Sequence, residues 1–268
     1  MKPSGWVMLA ACLLVAASTS KAESSKPEGC WRLQSGEVAG KEIPDQIIKQ
    51  ARAAIFGDQH TVNMVAEVIL GSHKIDSSKQ PPTIDATDTA GPFAGKTTLG
   101  IYEIKGDQFK VCFAEPGKER PKEFTTKSGT GHLLHVWNRD EPAQAELKKF
   151  QGTWGLVSAT RDGKNVTEDE AKRTSIVIKD NTFRFPQESK VGTSATGSFT
   201  LDTTLMPKAM DSITGSGPDT GKISRGIYQF DGKRYKICFS PPGRDRPKGF
   251  VSDPGSDYLL QEWQLARP

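Results

Sequence analysis

The chain has 268 residues, with 36 Lys and Arg against 32 Asp and Glu and a formal net charge of +4, enough length for two ordinary domains that each bury a core. So even a charge balance, with no basic stripe, argues against nucleic-acid binding. No phosphate-cradling glycine loop, zinc-spaced cysteine set or catalytic triad signature occurs, so those chemistries are not expected.

The first element is a leader. Met1-Lys2-Pro3 is followed by an apolar run from Gly5 to Ala17 and then by Ser20-Lys21-Ala22, a positive start, a short apolar core and a small-x-small site. These features predict an export signal over residues 1–22 and a periplasmic or extracellular mature chain. The run is shorter than the roughly 20 residues a spanning helix needs, so no transmembrane segment is expected in the mature chain. Leu9-Ala10-Ala11-Cys12 resembles a bacterial lipobox. Lipidation at Cys12 would leave Leu13-Leu14-Val15-Ala16-Ala17 as an oddly apolar tether, so cleavage after Ala22 is favoured. Cys30, Cys112 and Cys238 then remain, an odd number. A Cys30–Cys112 pair is open, but three buried thiols are the plainer expectation.

The rest of the chain is written twice. Residues Gly71 to Trp137 align without a gap on Gly197 to Trp263, with 26 of 67 positions identical. Repetition at this period means two similar domains. They are expected at 23–138 and 150–268, with the polar segment 139–149 between them as a short linker that has room for a helical turn before Phe150. In the second copy Trp154 to Ser158 reads as a strand ending at Asp162-Gly163. Thr167-Glu168-Asp169-Glu170 is a capping box that predicts a short helix over Glu168–Arg173. Pro44-Asp45 begins the matching segment of the first copy. Ser175 to Ile178 and Thr182 to Phe185 flank the turn Asp180-Asn181. Gly197 to Asp202 is a further strand ended by Pro207, and the stretch after Asp211 reads as a Gly/Ser/Thr-rich loop. Ile227 to Phe230 and Tyr235 to Phe239 flank Asp231-Gly232, a strong hairpin signal, and Tyr258 to Trp263 closes the domain.

Seven or eight short strands and one helix per copy predict an all-β chain of two tandem antiparallel β-barrel domains, each with a short helix after its first strand. Alternation sets Tyr235, Ile237 and Phe239 on one face and Lys236, Cys238 and Ser240 on the other. Phe109, Val111 and Phe113 repeat this against Lys110, Cys112 and Ala114. The aromatic face is expected inside. The cysteines are then on the outer face or against the other barrel.

The set Gln151-Gly152-Thr153-Trp154, Asp202 with Pro207 and Asp211, Gly226-Ile227-Tyr228, Cys238-Phe239, Pro242-Gly243 and Arg246-Pro247 resembles a repeat found in many planctomycete proteins, a family with no assigned activity. Two copies cover nearly all of the chain after the leader. The Gly-x-Trp openings at Trp31 and Trp154 also resemble the first-strand motif of lipocalins. That resemblance implies a lipocalin-like barrel in which a late arginine packs over the Trp, a part that falls to Arg139 and Arg267. The helix departs from the lipocalin plan, because here it follows the first strand, and Cys30 stands where the usual residue is Thr.

Candidate sites come from the matched positions. Arg120 and Arg246, each held extended by a following proline, are candidate ligand contacts for an acidic group; the alternative is an ion pair pinning the loop to its own barrel. Tyr102 and Tyr228 join them. Cys112 and Cys238 are candidate reactive thiols if Lys110 and Lys236 favour thiolate on an open face, and inert packing groups if a helix or the other barrel covers them. Asp76/Asp85 and Asp202/Asp211 suit a cation site but read better as turn caps. His60, His73, His132 and His135 read as surface or structural, since His132 and His135 on one strand point to opposite faces. No catalytic residue, metal or cofactor is expected. The favoured function is a non-enzymatic binding module for a small apolar ligand. The alternative is an envelope-associated protein with filled barrels whose loops bind protein or polysaccharide. An enzyme built on Cys112/Cys238 or the arginines ranks third.

Overall fold

The computed structural model describes residues 26–186, 196–217 and 219–266; the leader, Cys12 and Arg267 lie outside them. The chain runs β1 (Gly29–Val38), a two-residue β2 (Lys41–Glu42), α1 (Asp45–Gln50), β3 (Arg52–Phe56), β4 (Gln59–Asn63), β5 (Val68–Asp76), β6 (Thr83–Ala90), β7 (Thr97–Lys105), β8 (Gln108–Phe113) and β9 (Leu133–Arg139). Helix α2 (Glu141–Phe150) follows. The second copy is β10 (Gly152–Arg161), β11 (Lys164–Asn165), α3 (Glu168–Arg173), β12 (Ser175–Lys179), β13 (Thr182–Arg184), β14 (Thr196–Asp202), β15 (Lys208–Thr214), β16 (Ile223–Asp231), β17 (Arg234–Phe239) and β18 (Leu259–Leu265). Apart from β2 and β11, which pair only with β1 and β10, consecutive strands of each copy pair antiparallel, and the last strand returns to the first: Trp31 lies opposite Arg139, and Trp154 opposite Leu265. Both copies are therefore closed eight-stranded barrels, with β2 and β11 as short flaps. Among the described residues no helix is long and apolar enough to cross a membrane.

Local chemistry explains the closure. Both first strands carry a bulge at the same place, between Leu33 and Ser35 and between Leu156 and Ser158. An extra residue there bends the strand around the barrel. The turn at Asp231-Gly232 forms with Gly232 at φ +56°. The capping box at α3 is made from both sides, with Glu170 N donating to Thr167 Oγ1 (3.2 Å) and Thr167 N donating to Glu170 Oε2 (3.2 Å). Gly100 and Gly226 open the matched Gly-Ile-Tyr triplets for a packing reason. A Cβ on either would sit 2.5 Å from the ring of Phe113 or Phe239 across the ladder. Trp31, Tyr102, Phe109 and Trp137 meet inside the first barrel, and Trp154, Tyr228, Tyr235 and Trp263 inside the second, the interior face that alternation marked.

Two expectations change. The Gly/Ser/Thr-rich stretch after Asp211 is not loop from its start: Lys208–Thr214 is β15, because Met210 and Ile213 bury their side chains. The segment read as a polar linker is α2, capped by the Asp140 carboxylate on Ala143 N (3.1 Å). Ala143, Leu147 and Phe150, spaced four and three apart, form one apolar stripe buried in the second barrel's core. Phe150 is fully buried, with the rings of Phe230, Tyr228, Tyr235 and Phe199 at 4.6, 5.1, 5.2 and 5.7 Å. It plugs the end of the barrel at which β10 begins.

The barrels also meet directly. Arg52 Nη2 donates to Asp202 Oδ2 (2.8 Å), Thr61 to Ser198 (3.0 Å), Asn181 to Thr61 (3.1 Å) and Asn63 to Asp211 (3.0 Å). Val68, Leu70 and Ala90 pack beside Ile213 and Ile223. Cys30, on the outer face of β1, belongs to the cluster around α2.

Candidate functional site

The second barrel is plugged by Phe150 at one end and hollow towards the other, and the first is hollow as well. The second encloses a cavity of about 260 Å³, walled by Phe183, Phe199, Met210, Tyr235, Phe239 and Trp263. Arg161, Ser224 and Asp257 line it at the strand ends remote from Phe150. The wall follows from period-two alternation: Tyr235, Ile237 and Phe239 share one face of β17, and Gln261 and Trp263 one face of β18.

The first barrel encloses about 170 Å³ on the same plan with a different lining. Strand register places His60 of β4 where β13 has Phe183. The ungapped repeat places His73 opposite Phe199, Asp88 opposite Thr214 and His135 opposite Gln261. His60, His73, Asp88 and His135 all line the cavity. His60 Nε2 lies 3.2 Å from Asp88 Oδ1, the His60 and His73 rings are 5.8 Å apart, and His135 meets Trp137 edge-on at 5.5 Å. Gly71 lets the His60 ring in, because a Cβ there would come within 2.8 Å of His60 Nε2. Burial pushes the His135 imidazole down to about 4. Burial, and then His60 beside it, pushes His73 down to about 4 as well. Both rings are thus neutral at neutral pH. His73 Nδ1 and His135 Nε2 are fully buried and have no hydrogen-bond partner. From sequence alone these histidines read as surface or structural groups. The signal that finds them is alternation, since His135 shares a face with Leu133 and Trp137. His132 lies outside the strand, with Nδ1 3.3 Å from Thr125 O.

The residues singled out from sequence occupy other places. Arg120 Nη1 lies 2.6 Å from Asp85 Oδ1 and donates to Gly100 O (2.6 Å). Arg246 repeats this on Asp211 Oδ1 (2.6 Å) and Gly226 O (2.7 Å). These guanidinium groups pin the Gly-x-x-Arg-Pro loops to their own barrels, so neither is presented openly to an acidic ligand. Arg246 also borders a crevice of about 300 Å³ between the barrels, together with Lys49, Arg52, Arg225 and Asp202. Asp76 and Asp202 cap turns, accepting from the backbone N–H groups of Ser78 (3.0 Å) and Thr204 (2.9 Å). Among the described residues no group of three or more His, Cys, Asp or Glu is arranged to hold a metal.

Tyr102 and Tyr228 are buried and line neither cavity. Tyr228 Oη lies 3.4 Å from Glu146 Oε2, and burial followed by that carboxylate pushes its pKa up. Burial raises Tyr102 too. Cys112 and Cys238 are fully buried on the outer faces of their barrels. The cover is neither helix nor partner barrel but each domain's own long loop, with Cys112 Sγ 3.7 Å from Thr125 O and Cys238 Sγ 3.3 Å from Val251 O. Burial pushes the Cys112 thiol up and Cys238 up to about 11. Lys110 and Lys236 sit over the rings of Phe124 (5.5 Å) and Phe250 (4.5 Å). Cys30 is raised to about 12, by burial first and Asp140 second. All three thiols are free, so the Cys30–Cys112 pair does not form. At the start of β1 the Arg139 guanidinium stacks 4.4 Å from the Trp31 ring, as the lipocalin resemblance implied, and Trp31 Nε1 donates to Pro27 O (3.0 Å). Trp154 Nε1 donates to Phe150 O (2.7 Å). No family model matches this chain, and no curated protein or solved structure is similar enough to match it.

Proposed function

We propose that this protein is a non-enzymatic binding protein in which each barrel takes a small, largely apolar molecule through its open end. The observation that carries this reading is the second-barrel cavity, about 260 Å³ walled by aromatic and aliphatic side chains. Eight-stranded barrels are either filled by side chains or hold one small ligand. A cavity of that volume, just below the range of ordinary ligand pockets and so sized for a small molecule, supports the second case. Two hollow interiors in one chain weigh against the filled barrels of an envelope-interaction protein. High thiol pKa values and pinned arginines weigh against an enzyme built on those groups. The leader features of residues 1–22, a positive start, a short apolar run and a small-x-small site, support a role outside the cytoplasm.

A neutral naphthylamine fluorophore, titrated into the full chain and competed with a lipid extract, tests this. Enhanced emission that competitors abolish is expected. Filling the second cavity with Gln261→Phe should remove part of the signal while the circular dichroism stays unchanged. Emission that never rises, or that ignores the filled cavity, would refute the reading.

A further inference from the structure

We infer that the first barrel is a site for a small neutral alcohol or phenol, whose hydroxyl hydrogen-bonds an imidazole of a largely apolar pocket. This rests on the reading of the barrels as ligand cavities and narrows it for one of them. His73 and His135 line the cavity, are 6% and 5% exposed, and each holds a ring nitrogen with no partner. Such atoms are rare in folded proteins, because an unsatisfied buried polar group is costly and a partner relieves that cost. A ligand hydroxyl is both donor and acceptor, so it satisfies an imidazole nitrogen in either tautomer.

Charge narrows the class. Asp88 and Glu115 line the cavity, and among its described lining residues there is no Lys or Arg. The two unpartnered imidazoles are neutral because burial holds them near 4. A carboxylate or phosphate would meet carboxylates and no fixed cation. Size narrows it further. About 170 Å³ compares with the 150 Å³ apolar cavity that accepts benzene, so the ligand has one ring or a short chain. The second barrel supplies an internal control. At the same positions it carries Phe183, Phe199 and Gln261, and no unpartnered buried atom among the described residues lines its cavity.

Phenol, toluene and benzoate, titrated separately into the full chain, test the inference. Imidazole and indole NMR signals report each barrel: Trp31 and Trp137 the first, Trp154 and Trp263 the second. Phenol should bind the first barrel about tenfold more tightly than toluene, the factor one hydrogen bond supplies, and shift a His73 or His135 signal. Benzoate should bind most weakly. His73→Leu with His135→Leu should erase the phenol preference in the first barrel and leave the second unchanged. If that pair fails to fold, His135→Gln and His73→Gln singly should each be compared for the preference. Equal binding of phenol and toluene to the wild type, or benzoate binding as tightly as phenol, would overturn the inference while the cavity reading stands. No binding of any of the three to either barrel would instead remove the reading beneath it.

Discussion

Acid should loosen the first barrel through His135, and replacing it by glutamine, the residue at the equivalent place in the second barrel, should remove that sensitivity. Burial alone holds the folded-state pKa near 4, against about 6.5 in an unfolded chain. Above pH 6.5 neither state binds the proton, and the stability contribution is complete. As pH falls from 6.5 towards 4 the unfolded chain takes up a proton that the folded chain refuses, and stability is lost. At pH 4.5, 2 units below the unfolded pKa and just above the folded one, the loss from this residue is about 2.5 kcal/mol. His73, lowered in the same direction, adds a second loss of similar sense. Urea unfolding at pH 7.5 and 4.5, followed through Trp137 with its ring 5.5 Å from His135, measures the total. Wild type should lose about 2.5 kcal/mol more than His135→Gln across this interval. Equal losses, or a His135 NMR titration centred near 6.5, would refute the argument.

Phe150→Ala should destabilise the second barrel by about 3–5 kcal/mol, because it empties a fully buried site between four aromatic rings. A melt of that variant showing a loss under about 1 kcal/mol would mean α2 is not part of the core. The three described thiols, buried with raised pKa values, should react slowly with a thiol reagent in the native protein and rapidly in denaturant.

The division between sequence and tertiary structure follows from the range of the forces involved. The repeat, the strand alternation, the Thr167–Glu170 capping box and the Asp231-Gly232 turn are local patterns, so two β-barrels with an early helix were legible directly. The stacking of Arg139 on Trp31 was legible through the lipocalin resemblance, although β9 and β1 lie far apart in sequence. Other features needed the closed barrel. Asn138-Arg139-Asp140 looks like spacer, and only a neighbouring barrel short of a bottom makes Phe150 a plug. Whether the loop arginines were open or pinned depended on Asp85 and Asp211, which the ladder brings to them from other strands. Alternation placed the cysteines on the outer face, but their cover came from a loop folding back. The histidines show the boundary most clearly. Alternation alone can assign each to a face, yet only closure turns β4, β5 and β9 inward around one space. That closure desolvates the rings, leaves two nitrogens without partners, and makes a cavity from residues that read as surface or structural in the sequence.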